Sequence, residues 1–201
     1  RITKQLKNQG YLAFVKSYIT YLADSSAGVR EVNLTLRVNR LQNKTTGDSL
    51  TESNHPVYEI RNIYVKPDQD FSTLVDTTYY EISKSNNLNK LLFINKNSLK
   101  LNPRVFKNNL FFRPGELYNQ QKLNNSYRRL MSLSIIQSAN FSLIVPDNVT
   151  MLANGRFPVD CVIKVARNPV NSFSVGAEGT NSGGNLGLGA NMLFQNKNIF
   201  K

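Results

Sequence analysis

The sequence has few of the residue types on which metal and thiol chemistry depends. It holds one cysteine, one histidine and no tryptophan in 201 residues. A lone thiol, Cys161, excludes an intramolecular disulfide, and no second thiol or group of histidines lies near it to form a metal site. Cys161 falls on the apolar face of a strand pattern, so we interpret it as a packing residue.

Motifs of catalysis and phosphate binding are also missing. The sequence has no G-x-S-x-G, no P-loop, no H-E-x-x-H and no paired CxxC. General acid–base catalysis needs carboxylates or a histidine gathered in a cleft, whereas the acidic residues are scattered and His55 stands beside a proline in a loop pattern. The glycine-rich stretch 183–189 has a period of two, which is typical of a strand and not of a phosphate loop. We therefore expect no enzyme, no cofactor and no metal.

Long apolar runs are absent as well. No run reaches about 18 apolar residues, so the sequence predicts no transmembrane helix. No signal peptide opens it. Because Arg1 already falls within a helical pattern, we expect the sequence to be part of a longer chain, and the missing signal peptide says little about the compartment.

Acidic residues are scarce relative to basic ones, 13 against 25, and the net charge is +12. Basic proteins often bind nucleic acids, because their cations release counterions from phosphates. Here the basic residues are spread through the chain, and no RNA-binding or helix-turn-helix motif accompanies them. The run from Lys84 to Arg113 contains no acidic residue. We interpret it as a solvated face, with attraction to an anionic membrane surface as the alternative.

What the sequence does contain is most regular at its end, where two alternating segments are separated by a predicted turn at 181–184. Each is about nine or ten residues, the length that a tilted strand needs to cross a bilayer, and alternation of apolar with small or polar residues is typical of membrane barrels. An ordinary hairpin at the end of a soluble sheet fits the same pattern. The apolar face is predicted to hold Phe173, Val175, Ala177, Leu186, Leu188, Ala190, Met192 and Phe194.

Residues 57–170 predict one unit in the order strand, helix, helix, strand, strand. Asn102, followed by Pro103, and Asn119 are the predicted helix N-caps. Between the first strand and the first helix lies a predicted insertion with two short strand patterns, 77–82 and 91–94. The three main strand patterns cover 57–65, 134–145 and 158–168.

The first 42 residues repeat the second half of this order. A helix that carries Leu6 is predicted to end at Gly10, and a β-rich run over 14–22 follows it. Residues 32–40 then align with 159–167, apolar on apolar, so that helix, strand, strand recurs. Residues 43–56 have the composition of a flexible linker. The side chains predicted to face inward on the second strand are Val32, Leu34, Leu36 and Val38.

Two stretches carry a resemblance to a known family. Residues 113–136, RPGELYNQQKLNNSYRRLMSLSII, look like a "pG..ys...l..t...L..l..f" stretch, with Gly115, Tyr118, Leu123, Leu130 and Leu133 in register. Residues 171–200 are similar to a glycine-rich hairpin ending in "N.RNLF", which appears here as NKNIF. Together they resemble the periplasmic POTRA repeats and first barrel strands of the Omp85 family of outer-membrane insertases and translocases, most of all its TamA-like or TamL-like branch.

This resemblance implies an α+β fold of POTRA repeats, each with the order β-α-α-β-β, a three-stranded mixed sheet and two helices on one face. A truncated β-barrel hairpin is implied to follow them. The implied domains are the C-terminal part of a POTRA module at 1–42, a linker at 43–56, a complete module at 57–170 with an insertion at about 66–101, and the first strands of a truncated transmembrane barrel at 171–201.

The resemblance also implies a function at the periplasmic side of the outer membrane. An exposed strand edge can accept an extended client as an added strand, so unfolded outer-membrane proteins or a periplasmic partner protein are the implied ligands. In POTRA repeats the exposed edge is the second strand, which maps to 135–145 and 14–22. The predicted flanking contacts are Tyr18, Ile19, Ile136, Phe141 and Leu143, for which core packing is the alternative. The predicted lipid-facing residues of the missing barrel's first strands are Phe173, Val175, Leu186, Leu188, Met192 and Phe194.

Two other functions stay open at this point. A two-partner secretion transporter uses the same repeats for one secreted substrate, and a basic nucleic-acid-binding protein fits the net charge; the leading hypothesis expects no nucleic acid. Because two strands without their barrel are marginally stable, we expect residues 172–201 to pair with another chain or to fold back on the modules.

Overall fold

The structure is a computed structural model that describes residues 1–28, 31–44, 50–67, 79–81, 90–94, 101–146, 150–169 and 171–196. Helices and strands both occur in this part of the chain, and the expected α+β class is confirmed. The elements in chain order are α1 (Ile2–Asn8), a 3₁₀ turn (Lys16–Tyr18), β1 (Ile19–Gly28), β2 (Glu31–Val38), β3 (Leu41–Lys44), β4 (Leu50–Ser53), β5 (Tyr58–Pro67), β6 (Tyr79–Glu81), β7 (Leu91–Ile94), α2 (Pro103–Asn109), α3 (Gln120–Met131), β8 (Ile136–Ile144), β9 (Phe157–Arg167), β10 (Asn171–Ser182) and β11 (Asn185–Asn196).

One mixed sheet, in the order β6-β7-β5-β9-β8, organises the middle of the chain. β5 runs parallel to both β9 and β7, whereas β8 is antiparallel to β9 and β6 is antiparallel to β7. The predicted order strand, helix, helix, strand, strand is therefore observed as β5, α2, α3, β8, β9. The expected three-stranded sheet is wrong in its strand number, because the two described strands of the insertion join it. Strand β7 pairs along the edge of β5, and its side chains Leu91 and Phe93 are buried.

Both helices of this unit lie on one face of the sheet. The predicted caps form: Oδ1 of Asn102 accepts a hydrogen bond from the backbone N of Arg104 at 3.0 Å, and Oδ1 of Asn119 accepts one from Lys122 N at 2.9 Å. Phe106 of α2 and Leu130 of α3 are buried in the same cluster as alternate residues of β9. These alternate residues, each at most 1% exposed, are Val159, Cys161, Ile163 and Val165.

The thiol of Cys161 belongs to this core, as the strand pattern predicted. It is fully buried, and burial raises its pKa to about 12, with the neighbouring carboxylate of Asp160 as a smaller cause. A thiol held in its protonated form is a poor nucleophile and a poor metal ligand. Cys161 therefore acts as an apolar packing residue in the folded protein.

A bulge in β5 is held by a buried carboxylate. Arg61 and Asn62 together stand opposite Asp160 of β9. The carboxylate of Asp160 accepts hydrogen bonds from Nε of Arg61 at 2.9 Å, from its Nη2 at 2.5 Å and from the backbone N of Asn62 at 3.2 Å. The hydrogen bond to Asp160 raises the pKa of the Arg61 guanidinium. Oδ1 of Asn62 accepts from Lys90 N at 2.9 Å, so the bulge also attaches the insertion to the sheet.

We expect Asp160→Ala to lower the free energy of unfolding by about 2–3 kcal/mol, because it leaves the Asn62 N–H and a partly buried guanidinium without their acceptor. Glu116→Ala is the matched control, since it removes a carboxylate from an exposed pair with Lys122 and costs about 0–1 kcal/mol. Urea unfolding of the two variants measures both values, and equal losses would contradict this role of Asp160.

The N-terminal helix packs on the unit that follows it. Helix α1 is followed by Gly10, as predicted, whose φ of +100° is in the region that favours glycine. Oδ1 of Asn8 accepts a hydrogen bond from the backbone N of Gln121 at 3.0 Å, and the carbonyl of Gly10 accepts one from Tyr58 N at 2.9 Å. These contacts cross the predicted domain boundary at residue 57, and the division into domains stays a prediction.

The antiparallel hairpin of β1 and β2 is exposed on the face that was predicted to be inward. The four predicted inward residues are 41% to 64% exposed, so this expectation is wrong. The reason is the placement of α1, which packs on α3, while no helix within the described ranges covers the hairpin. The first strand also begins later than predicted, at Ile19, because Lys16–Tyr18 form a 3₁₀ turn. The four residues are Val32, Leu34, Leu36 and Val38.

Part of the predicted linker is in strands, since β3 and β4 pair with each other. After them, the ring of His55 contacts the rings of Phe14, at 4.9 Å between centroids, and Tyr18, at 4.5 Å. Nε2 of His55 lies 2.8 Å from the carbonyl oxygen of Asn39. An aromatic cluster therefore anchors the end of this segment.

Candidate functional site

Strand β8 is an edge of the central sheet. Its register with β9 runs from Ile136 opposite Arg167 to Ile144 opposite Asp160, and within the described ranges no further strand lies on its other side. The outer row of main-chain N–H and C=O groups of an edge strand can pair with an additional strand. Among the described residues the other edge of the sheet is β6, with three residues against the nine of β8. The expectation that the second main strand is an edge is therefore confirmed for the described part of this unit.

The predicted contact residues on β8 belong to its core face. Ile136 is 3% exposed, and Leu143 packs against the core cluster. The ring of Phe141 contacts Tyr127 and Phe112, at centroid distances of 6.0 and 6.5 Å. The side chains of these residues are therefore packing residues, which was the alternative to a contact role. A strand added to β8 would meet the main chain of these residues, and their role as binding residues stays a prediction.

The alternate residues of β8 lie on the opposite face of the sheet, where an added strand would place every second side chain beside them. Asn140 is exposed, Ser142 is half-buried and Ile144 is 52% exposed. They are not among the predicted contact residues, although the same alternation that places Phe141 and Leu143 inward places them outward. This face of the strand is small and polar over Asn140 and Ser142. It is compatible with clients of varied sequence, since the main chain supplies the directional contacts.

The structure does not bring Tyr18 and Ile19 together with the β8 residues in one site. Tyr18 lies in the 3₁₀ turn, half-buried in the aromatic cluster with Phe14 and His55. Ile19 opens β1 and pairs with Val38. They therefore belong to a separate region, at the start of the exposed β1–β2 hairpin.

The C-terminal hairpin gathers most of its apolar side chains on one face. β10 and β11 have 12 residues each, longer than the predicted nine or ten, and they are joined by a two-residue turn. Gly183 and Gly184 form this turn with φ of +61° and +90°, the conformation of a type I′ hairpin turn. The register then pairs Phe173 with Phe194 and Val175 with Met192 on one face, so that the apolar residues of both strands lie side by side.

All six predicted lipid-facing side chains are exposed on this face. Their exposed fractions run from 61% for Val175 to 96% for Leu188. The opposite face carries small or polar residues in nearly every position, among them Ser174, Glu178 and Asn191, with Leu193 as the apolar exception. Each strand, at about 3.3 Å per residue, is about 40 Å long, and a tilt of about 45° gives a height near the roughly 30 Å of a bilayer core. The six residues are Phe173, Val175, Leu186, Leu188, Met192 and Phe194.

In the structure β10 and β11 pair with each other alone among the described strands. The alternative in which residues 172–201 fold back on the modules is therefore not seen for the described part, 172–196. Pairing with another chain stays a prediction. The hairpin exposes an apolar face, and no other described strand pairs with its outer edges. Both features favour a partner strand or a lipid environment.

Within the described ranges, no helix has the length and hydropathy to cross a membrane. The same ranges contain no group of three or more histidine, cysteine, aspartate or glutamate side chains that could hold a metal ion.

Comparisons with known proteins give no matching family, whereas 29 chains among the solved structures match. No protein-family model matches the chain, and no curated protein matches it. Among solved structures, BamA from Haemophilus ducreyi lacking POTRA domains 1–3 matches with a TM-score of 0.47 and 13% identity, over 95% of this chain and 26% of that one. POTRA domains 3–5 of BamA from Haemophilus influenzae match with a TM-score of 0.29 and 14% identity, over 82% of this chain and 76% of that one.

Proposed function

We propose that this chain is the periplasmic POTRA portion of an Omp85-family outer-membrane assembly or translocation factor. In this proposal it binds unfolded outer-membrane proteins or a periplasmic partner by strand addition, and its C-terminal hairpin contributes strands to a transmembrane barrel. The single observation that carries the proposal is the register of β10 with β11, which gathers the apolar side chains of both strands on one exposed face.

The hairpin supports the membrane part of the proposal through its length and its two faces. Strands of about ten or more residues with alternating faces are the form in which a sheet crosses a bilayer, provided that its edges are paired within a closed barrel. The apolar face of the hairpin matches the lipid side, and the small and polar face matches the interior. Further strands paired along the free edges of β10 and β11 are required for closure.

The edge strand supports the binding part. Strand addition needs an accessible edge of sufficient length, and the nine residues of β8 meet this need. The insertion supports the same edge, because β7 occupies the other side of β5 and leaves β8 as the longer edge among the described residues. We infer that clients add at one edge of this sheet. Unfolded barrel proteins contain the alternating strands that such an edge accepts.

A titration with two ligands tests the proposal against nucleic-acid binding, which the net charge of +12 favours. We expect an alternating ten-residue barrel-strand peptide to bind with micromolar-range affinity that changes less than about threefold between 50 and 200 mM salt. A DNA duplex bound through several phosphates would lose on the order of a thousandfold over the same range. Tight, salt-sensitive binding of DNA without binding of the peptide would contradict the proposal.

A further inference from the structure

The two-helix layer of the central unit carries an uncompensated positive charge. Residues 101–131 contain six basic residues and one acidic residue, Glu116. Oε2 of Glu116 lies 2.6 Å from Nζ of Lys122, so the single carboxylate of this segment is already paired. The other five cations, all exposed, are Arg104, Lys107, Arg113, Arg128 and Arg129.

Four of these cations lie at one end of the layer. Nη1 of Arg113 donates to the carbonyl of Lys107 at 3.2 Å, and Nε of Arg129 donates to Oδ1 of Asn109 at 2.9 Å. These bonds bring the end of α2 beside the last turns of α3, where Arg128 also lies. Among the described residues no carboxylate forms an ion pair with any of the four. We call Lys107, Arg113, Arg128 and Arg129 the cationic patch.

The last turns of α3 lie at the end of the unit from which the C-terminal hairpin departs. Helix α3 ends at Met131 and β8 begins at Ile136, opposite the last residue of β9. Nδ2 of Asn168 donates to the carbonyl of Ser134 at 2.8 Å, which holds the exit of β9 against the segment after α3. Asn171, the first residue of β10, follows three residues later, within about 11 Å of chain.

We propose that the cationic patch binds the phosphate groups of anionic phospholipids at the membrane surface that the hairpin enters. This rests on the proposed function, because it takes the apolar face of β10 and β11 as the part that meets the bilayer. Cations next to a membrane-entering segment are attracted by an anionic leaflet, within about a Debye length of its surface. Two exposed apolar side chains of α3, Tyr127 and Met131, flank the arginines and add the amphipathic character of an interfacial surface.

Vesicle flotation of the whole chain tests the patch. The probes are neutral phosphatidylcholine vesicles and vesicles with about 30% phosphatidylglycerol, at 20 and 300 mM salt. We expect at least tenfold stronger binding to the anionic vesicles at low salt, and most of this gain lost at high salt. The double variant Lys107→Gln/Arg128→Gln should lose most of the gain, because it removes two of the four cations of the patch. Neither side chain donates a hydrogen bond within the described residues, so the two replacements are expected to leave the fold intact. Lys16→Gln/Arg37→Gln, two exposed cations of the N-terminal segment, is the control of equal charge and should keep it.

The outcomes separate this proposal from the proposed function. Equal losses in the patch variant and its control would overturn the patch as a lipid-binding site, and so would a patch variant that loses DNA binding while its vesicle binding is unchanged. Val175→Arg, on the apolar face of the hairpin, should weaken binding to neutral vesicles, where the added charge gains no attraction from the lipid. If Val175→Arg has no effect while the patch variant loses its anionic gain, the membrane role of the hairpin fails and the lipid site stands.

Discussion

Val175→Arg is expected to lower the partition of the chain into neutral phospholipid vesicles by about thirtyfold, and Ser174→Arg to leave it within about twofold. Val175 lies on the apolar face of β10, paired with Met192, and is 61% exposed. An arginine on the lipid face of a membrane strand costs about 2–4 kcal/mol near the midplane and less near the interfaces. A cost of about 2 kcal/mol corresponds to an approximately thirtyfold lower partition coefficient.

The control at Ser174 introduces the same arginine side chain and the same charge on the other face. Ser174 is the preceding residue of the same strand, so it lies at nearly the same height. It stands opposite Leu193 on the other face of the hairpin. Neutral vesicles remove the attraction that an added arginine has for anionic lipid. Equal partition of the two variants would show that the apolar face does not meet lipid.

The second large effect is expected from the main chain of a bound client. Strand addition to β8 predicts that a ten-residue alternating peptide loses at least a hundredfold in affinity when the alternate amides that point towards β8 are N-methylated. N-methylation of the other set of alternate amides, which point away from β8, should change the affinity by less than about fivefold. The reason is geometric, because alternate N–H groups of an added strand point at the edge strand and away from it. Each lost hydrogen bond costs about 1 kcal/mol, and the methyl groups also block approach.

A crosslink locates the bound peptide on the correct edge. Ser142→Cys places a thiol on the solvent-facing side of β8, and Asn125→Cys places one on the exposed surface of α3 as the control. We expect disulfide capture of a cysteine-bearing peptide by the first variant and at least tenfold less by the second. Native Cys161 does not compete, since it is buried and its thiol has a pKa of about 12. A loss of affinity that is equal for both sets of N-methylated amides, or capture at residue 125, would contradict strand addition at β8.

Local signals predicted the elements well where a few neighbouring residues decide the conformation. Asn102 with Pro103, and Asn119, begin α2 and α3 because their side chains accept hydrogen bonds from the first turn. The alternation of residues 159–165 predicted the buried face of β9. The turn of two glycines at 183–184 determined the register of the C-terminal hairpin, and with it which side chains share a face.

Burial and strand pairing were harder to predict from the sequence, since they depend on residues that are far apart in it. The alternation in β2 is as regular as that in β9, yet its apolar residues are exposed because α1 packs on α3, more than 100 residues away, through the pair of Asn8 with Gln121. Likewise, the strand pattern of Leu91–Ile94 was evident, but its place beside β5 depends on the bulge at Arg61 and Asn62. No local pattern contains that information.

The candidate site shows the same division. The edge position of β8 followed from the resemblance to POTRA repeats, and the described part of the sheet agrees with it. The sequence pattern left open whether Phe141 and Leu143 contact a client or pack in the core, and in the structure both side chains pack against the core cluster. The two-residue period of the strand places Asn140, Ser142 and Ile144 on the opposite face.

The most direct test of the central claim, that the C-terminal hairpin meets lipid with one face, is a cysteine scan of residues 172–176 and 191–195 with an environment-sensitive fluorophore. The buried thiol of Cys161 permits labelling of one introduced cysteine at a time. On addition of neutral vesicles, we predict a blue shift at 173, 175, 192 and 194 and little change at 172, 174, 191 and 195. A shift of equal size at successive residues, or no shift at any of them, would contradict the membrane-strand account of this hairpin.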